Sequence, residues 1–257
     1  MLEWLKKKIF MLRVRVAFRL WPLSRFLPTT DLEFSEDEKR ELKFGSHSWR
    51  QLVPRYLARF DSMADGRQFY CFGVAHGSTV YGLATGLRDR GMEIPHMHLF
   101  DSFQGLPSET ANISRPSVWH VGAYAAPRTK LERSIESLNL SADRYSIHDG
   151  WFKDTLKAEH VASGVFKPAA YIDIDADLYS STYEVLDFLF AHKLIVPGTL
   201  IGYDDWGDTE AWTAGESRAH KEIIAKYDAR CAQLFSWGQH PLMRKLFLVV
   251  SVKSQSI

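Results

Sequence analysis

Strand and helix patterns alternate five times between residues 68 and 227, and this ordering constrains the fold more than any other feature of the chain. Apolar, β-branched and aromatic runs predict strands over 69–74, 97–100, 145–148, 170–175 and 199–203. Helical spacing follows them to about Arg90, over Arg128–Leu138, briefly within 151–160, over Ser180–Ala191 and over Glu216–Tyr227. An irregular crossover, Glu109–Pro127, precedes the second of these helices, and Pro197-Gly198 turns the chain into the fifth strand. Two closing strands, Cys231–Phe235 and Leu246–Val252, flank a turn region, Gly238-Gln239-His240-Pro241. Such an order predicts an α/β fold: a doubly wound, mostly parallel seven-stranded sheet with an antiparallel edge strand.

In sheets of this kind ligands bind beyond the carboxyl ends of the strands, at the topological switch point. The first five predicted strands end on Gly73, Asp101, Asp149, Asp175 and Asp204, each a glycine or an acid. The turn Gly73-Val74-Ala75-His76-Gly77-Ser78 lets backbone approach a ligand at a helix N-terminus. It lacks the GxGxxG spacing of a pyrophosphate site, which argues against a dinucleotide. Asp101 can take the two ribose hydroxyls of an adenosyl ligand, or cap the turn that runs through Ser102 to Gly105. Asp149 is equally suited to an adenine amino group and to a plain turn before Gly150.

The densest chemistry lies in Tyr171–Thr182, where Asp173, Asp175 and Asp177 alternate at the end of a buried run. Extended backbone turns alternate residues to one side, and like charges that close need compensation. Asp204 and Asp205 end the neighbouring strand; adjacent acids turn inward together only where the strand gives way to a loop. With Asp175 they supply three oxygen ligands, a set that suits Mg²⁺ with positions left open for substrate. Asp177 then stands close enough to act as a base without being a ligand. His240 and His76 fit loop positions better than chemistry, and Trp151, Trp206 and Trp212 are equally suited to stacking and to core packing.

Charge is balanced overall, at formal net +1 over 257 residues, so nothing points to nucleic acid as a partner. Residues 1–30 are different: seven lysines and arginines face one acid, with Leu2, Leu5, Ile9, Leu12, Val16 and Leu20 at helical spacing. That pattern fits a helix on an anionic membrane surface and, equally, one packed on its own domain or a partner subunit. It is too interrupted by arginines for a signal peptide or a membrane span. Ser35-Glu36-Asp37-Glu38 reads as a capping box opening a short helix, and a further helix is expected over 48–63 with a kink or break at Pro54. Cys71 and Cys231, far apart and without CxxC spacing, indicate a reducing, cytoplasmic setting.

Several blocks together carry a resemblance. Phe100-Asp101-Ser102-Phe103-Gln104-Gly105-Leu106-Pro107, Asp175 through Thr182, Tyr203-Asp204-Asp205-Trp206, Gly122, and the Gly150, Phe152, Asp154, Thr155 and Leu156 pattern resemble the macrolide- and aminocoumarin-sugar O-methyltransferases. That family, macrocin O-methyltransferase-like, comprises class I S-adenosylmethionine-dependent enzymes that use Mg²⁺ to methylate a sugar hydroxyl. The resemblance implies Asp175, Asp204 and Asp205 as metal ligands and Asp177 as proton acceptor. It implies cofactor contacts at Gly73, Val74, Gly77, Ser78, Asp101, Ser102 and Asp149, with Asp101 on the ribose. Cys71 stands where the family usually has an acid, and Asp173 is an acid the family does not need.

The expectations are therefore an N-terminal helical segment over 1–66 and a methyltransferase domain over 67–257. The expected cofactors are S-adenosylmethionine and Mg²⁺, and the expected partner is a small-molecule or glycan acceptor. Peripheral contact with the inner face of the membrane through residues 1–30 and homo-oligomerisation stay open. A cofactor-binding protein that keeps the fold without transfer is the rival.

Overall fold

The structure, a computed structural model, describes residues 49–111, 116–207, 215–239 and 242–253. The expectations for residues 1–48, including the basic helix and the capping box, and for Trp212 and His240 lie outside the described residues. Among the described residues no helix is long and apolar enough to cross a membrane.

The described chain opens with a 3₁₀ turn, Trp49–Leu52, that runs into helix α1, Val53–Phe60. Pro54 does not kink this helix; it sits at its first positions, where a missing N–H costs nothing and the fixed φ helps. Seven strands follow: β1 (Gln68–Phe72), β2 (Met97–Asp101), β3 (Tyr145–Asp149), β4 (Ala169–Ile174), β5 (Leu200–Gly207), β6 (Ala229–Gln239) and β7 (Leu242–Val252). The helices between them are α2 (Ser78–Arg88), α3 (Arg128–Ser137), α4 (Phe152–Thr155), α5 (Ala158–Ala162), α6 (Tyr179–Ala191) and α7 (Glu216–Lys226).

The strands form one sheet in the order β3-β2-β1-β4-β5-β7-β6. Strands β1 to β5 are parallel, and β7 runs antiparallel between β5 and β6 at one side of the sheet. The predicted doubly wound sheet with its antiparallel closure is thus the observed one. Every residue of β1 and β4 is buried, because helices cover both faces and leave no solvated side for an alternating pattern. One face carries Tyr70, Phe72, Phe100, Ile172, Ile174, Ile201 and Tyr203 into a single core with α6. The other face carries Phe69, Cys71, Tyr171 and Asp173, with Trp49 of the 3₁₀ turn seated over Gly202: a Cβ there would meet Trp49 at 2.8 Å and the Tyr171 hydroxyl at 2.4 Å.

Strand order reverses between β1 and β4, so the two chains leave the sheet in opposite directions and open a crevice there. Gly73, just past β1, has φ +80, and a Cβ on it would lie 1.8 Å from the Asp175 carbonyl oxygen. Glycine is required for the two strand ends to approach this closely.

At the opposite side of the sheet β2 and β3 bring imidazoles together. His98 is fully buried, bonded to Gln68 Oε1 at 3.1 Å and to His148 Nε2 at 3.1 Å, while His148 stacks on Phe100 at 4.3 Å. Burial, then neighbouring imidazoles, pushes His148 down to about 4 and His98 down to about 2. Burial likewise holds His220 down to about 3. At these histidines the unfolded chain takes up protons below about pH 6.5 that the folded chain refuses, so their contribution to stability, present above that pH, is lost on acidification. Near pH 5, His148→Asn should reduce the proton uptake on unfolding by about one, read as a flatter pH dependence of the urea midpoint than in the unaltered protein.

Candidate active site

Five carboxylates gather where β4 and β5 end. Asp175, Asp204 and Asp205 place one oxygen each within 4.8 Å of one another. Strand β5 does not give way to a loop there, as expected from adjacent acids; its pairing with β7 shifts register between Tyr203 and Trp206, inside the strand. This bulge turns two consecutive side chains toward the same side. Asp177 adopts the left-handed region (φ 57) and its carboxyl hydrogen-bonds that of Asp205. Glu216, at the first turn of α7, is the fifth. It is fully buried, with Oε1 accepting from the Ala176 N–H and Oε2 from the Asp205 N–H, both at 3.1 Å.

Asp173 lies one pleat before Asp175 and has its own partner. The guanidinium of Arg50, in the 3₁₀ turn, donates through Nε to Asp173 Oδ2 (2.6 Å) and Oδ1 (3.0 Å), and through Nη2 to Oδ1 (2.9 Å). The same Nη2 reaches Asp175 Oδ2 at 3.0 Å, and Nη1 lies 3.5 Å from Asp204 Oδ1. Trp49 Nε1 donates to that Asp204 oxygen at 2.7 Å, and Arg244 Nε does so at 3.3 Å. Cys71 pairs with Asp173 in the β1–β4 register, and its neutral thiol is held well up by burial and then by that charge.

The electrostatics divide the acids. Burial alone would raise Asp204, but Arg50, Arg244 and the Trp49 bond outweigh it and hold the carboxyl below its usual range. Burial, against Arg50 and with the other acids, pushes Asp175 well up. Asp177 is pushed up to about 10 by burial and then by the charge of Asp205. Glu216 is also driven well up, by burial first and then by Asp205 and Asp175. Without a cation, then, protons are held within the group at neutral pH while Asp204 is ionised. The donor set, hard oxygens at mutual distances one ion can span, fits a divalent cation.

A cleft of about 1040 Å³ opens over these residues. Its floor runs from Gly73, Ala75 and His76 past Asp101 and Ser102 to Gly150 and Trp151, and its far wall carries Asp175, Asp177, Asp204 and Asp205. Asp101 is fixed in place by two backbone donors, Ala75 N–H to Oδ2 (2.8 Å) and Phe103 N–H to Oδ1 (2.6 Å). Ser102 Oγ closes its turn by accepting from the Gln104 N–H at 3.1 Å and donating to the Gly105 carbonyl. Four expected cofactor contacts do not line the cleft. Val74 is buried, Gly77 packs on Ser134, Ser78 is exposed on α2, and exposed Asp149 pairs with Arg128 at 3.3 Å. Trp151 lines the cleft, whereas Trp206 is core, packed on Tyr203 and Phe247.

The roof is the crossover after β2. Leu106 and Gly122–Ala123 bond each other's backbone at 2.9 Å, and Trp119 is buried beneath them against Leu178. Glu109 ties this loop to α6 by accepting from the Ser180 N–H at 3.2 Å. Val121 and Tyr124 stay exposed at the cleft, Tyr124 in the left-handed region (φ 63). Sequence reasoning passed over Trp49, Arg50, Glu216, Glu109 and Tyr124. None has a spacing signal, since each reaches the site from a remote segment.

The fold and this cleft define a class I methyltransferase architecture. The chain belongs to the macrocin-O-methyltransferase (TylF) family, whose model matches residues 66–228. It is 30% identical over 139 residues to the 8-demethyl-8-(2,3-dimethoxy-alpha-L-rhamnosyl)-tetracenomycin-C 4'-O-methyltransferase of Streptomyces olivaceus, covering 52% of this chain and 51% of that protein. The match thus spans about half the length of that relative. Among solved structures, the O-methyltransferase NovP superposes with TM-score 0.58 at 18% identity, over 78% of this chain and 80% of that one. The calicheamicin methyltransferase CalS11 gives TM-score 0.57 at 18% identity, over 84% and 94%. These two likenesses speak to the fold. Trp49, Arg50 and Arg244 lie outside the span of the family match.

Asp173 is buried in a sheet face with the Arg50 guanidinium as its counter-charge, so removing Arg50 strands the acid, whereas removing Asp173 leaves Arg50 beside Asp175 and Asp204. Arg50→Ala should cost about 3–5 kcal/mol, read as a lowered urea midpoint with unchanged m-value. A loss below about 1 kcal/mol would show the pair to be dispensable.

Proposed function

We propose that the chain is an S-adenosylmethionine-dependent, Mg²⁺-requiring O-methyltransferase acting on a hydroxyl of a sugar or glycosylated acceptor. The observation that carries this is the convergence of Asp175, Asp204 and Asp205 beside Asp177, at the switch-point cleft of a chain in this family. The relative from Streptomyces olivaceus is named as a methyltransferase of a rhamnosyl compound, which supports a sugar hydroxyl as the acceptor.

Charge in the cleft supports the donor. Asp101, Asp175, Asp177, Glu184, Asp204 and Asp205 line it against one lysine, Lys153, among the described residues. Such a surface favours a cationic sulfonium and a neutral acceptor over an anionic one. Gly73, Ala75 and Asp101 would hold the adenosyl part of the donor, with Asp101 on the ribose and the Ser102 turn beside it. Bound at Asp175, Asp204 and Asp205, a divalent cation supplies positive charge that favours the ionised carboxyls and acidifies a neighbouring hydroxyl.

Asp177 then acts as the base. It accepts the acceptor's hydroxyl proton while the oxygen takes the methyl group, and the sulfonium becomes a neutral thioether. Its left-handed backbone turns it into the cleft that Asp175, Asp204 and Asp205 also line. The cleft walls orient donor and acceptor for in-line transfer.

The test is methyl transfer from labelled donor to a panel of neutral glycosides. Asp177→Asn should lower turnover by about 10²–10⁴-fold with S-adenosylhomocysteine affinity nearly unchanged, because a base contributes on that scale. Chelation, or Asp205→Ala, should abolish activity. Full turnover in the Asp177 variant would remove it from the role. The basic amphipathic spacing of residues 1–30 supports peripheral contact with an anionic membrane. Sedimentation with anionic but not neutral vesicles should then depend on those residues, and equal sedimentation without them would rule the contact out.

A further inference from the structure

We infer that the Trp49–Arg50 turn is a positioning clamp that limits Asp175 and Asp204 of the cation site to one oxygen each, and so selects a small octahedral ion over calcium. The inference rests on the proposed cation site and deepens it. Two of the three ligand carboxyls already have an oxygen engaged by the protein. Asp175 Oδ2 accepts from Arg50 Nη2 at 3.0 Å. Asp204 Oδ1 accepts from Trp49 Nε1 at 2.7 Å and Arg244 Nε at 3.3 Å, with Arg50 Nη1 at 3.5 Å.

Asp175 and Asp204 each keep one oxygen outside these bonds, and one oxygen from each of the three acids falls within 4.8 Å of the others. Three single oxygens with solvent or substrate completing the shell suit Mg²⁺, which demands near-octahedral geometry and keeps waters. Ca²⁺ takes six to eight oxygens and gains from carboxylates that offer both.

The clamp needs a guanidinium. Arg50 sends Nε and Nη2 to Asp173, reaches Asp175 through the same Nη2 and lies beside Asp204 through Nη1, a fork held rigid by planarity. Asp173 is the anchor that fixes the fork, which accounts for an acid the chemistry itself does not use. A lysine would keep the charge beside Asp173 but would not bridge three carboxyls from one position. Trp49 is fixed independently, over Gly202 and edge-on to Phe235 at 5.8 Å.

The experiment measures displacement of Mn²⁺, followed by its paramagnetic resonance signal, by Mg²⁺ and separately by Ca²⁺. It uses the full chain, Arg50→Lys and Trp49→Phe. Both variants keep the net charge, so the ratio of the two affinities reports geometry rather than electrostatic attraction. The unaltered protein should prefer Mg²⁺, and each variant should narrow that preference at least about tenfold, the scale of losses when groups behind metal ligands are removed. Trp49→Phe carries the test alone if Arg50→Lys does not fold, as judged by its melting temperature. An unchanged ratio in a folded variant overturns the clamp and leaves the proposed function standing. If the unaltered protein binds no Mn²⁺, the cation site itself falls, and the clamp with it.

Discussion

A buried guanidinium among carboxylates is the interaction on which the rest of this structure depends. Parallel strands buried on both faces have no solvent to screen a charge, yet β4 carries Asp173 in the middle of its hidden face. Arg50 answers it from outside the sheet, and in doing so it also grips Asp175 and Asp204. A buried pair of this kind contributes little net stability compared with an apolar substitute, so its value lies in orientation. The pair fixes where the following acids point.

The acidic cluster would otherwise be self-defeating. Asp175, Asp177, Asp204, Asp205 and Glu216 cannot all be ionised in a half-dry cleft, and the cation-free protein meets this by retaining protons. Glu216 relieves part of the strain by accepting two backbone N–H groups, one from each ligand-bearing strand end. Its carboxyl acts as a staple between β4 and β5 rather than as another ligand. Gly73 and Gly202 serve the same end by subtraction, since each leaves space that a side chain would fill. The result is an open cluster of carboxyls at the ends of β4 and β5, the place of the proposed cation and base.

The cofactor side of the cleft is built differently, with backbone doing most of the work. Asp101 is fixed by amides on both sides, from the glycine turn and from the Ser102 turn, so the end of β2 is a preset acceptor. The crossover that roofs the cleft rests on Trp119 and is tied to α6 by Glu109. Its exposed residues, Val121 and Tyr124, face the space an acceptor would enter. Rigid elements carry the chemistry, and the loop between β2 and α3 is free to differ with the acceptor.

The order of elements, the doubly wound sheet and the acids at its carboxyl edge were legible in the sequence, because hydrophobic period and strand-end residues are local signals. The gathering of Asp175, Asp204 and Asp205 was legible too, since neighbouring parallel strands bring their ends together. Other matters required the tertiary structure. Asp173 had no meaning until Arg50 arrived from more than a hundred positions away, and Arg50 itself has no distinguishing neighbours. Arg128 beside Asp149 and Ser134 beside Gly77 come from another segment of the chain and have no local signal. The bulge that lets Asp204 and Asp205 share a side depends on pairing with β7, some forty residues later. Sequence determines which residues can stand at a strand's end; only folding decides what stands opposite them, because partners for buried charge are chosen through space.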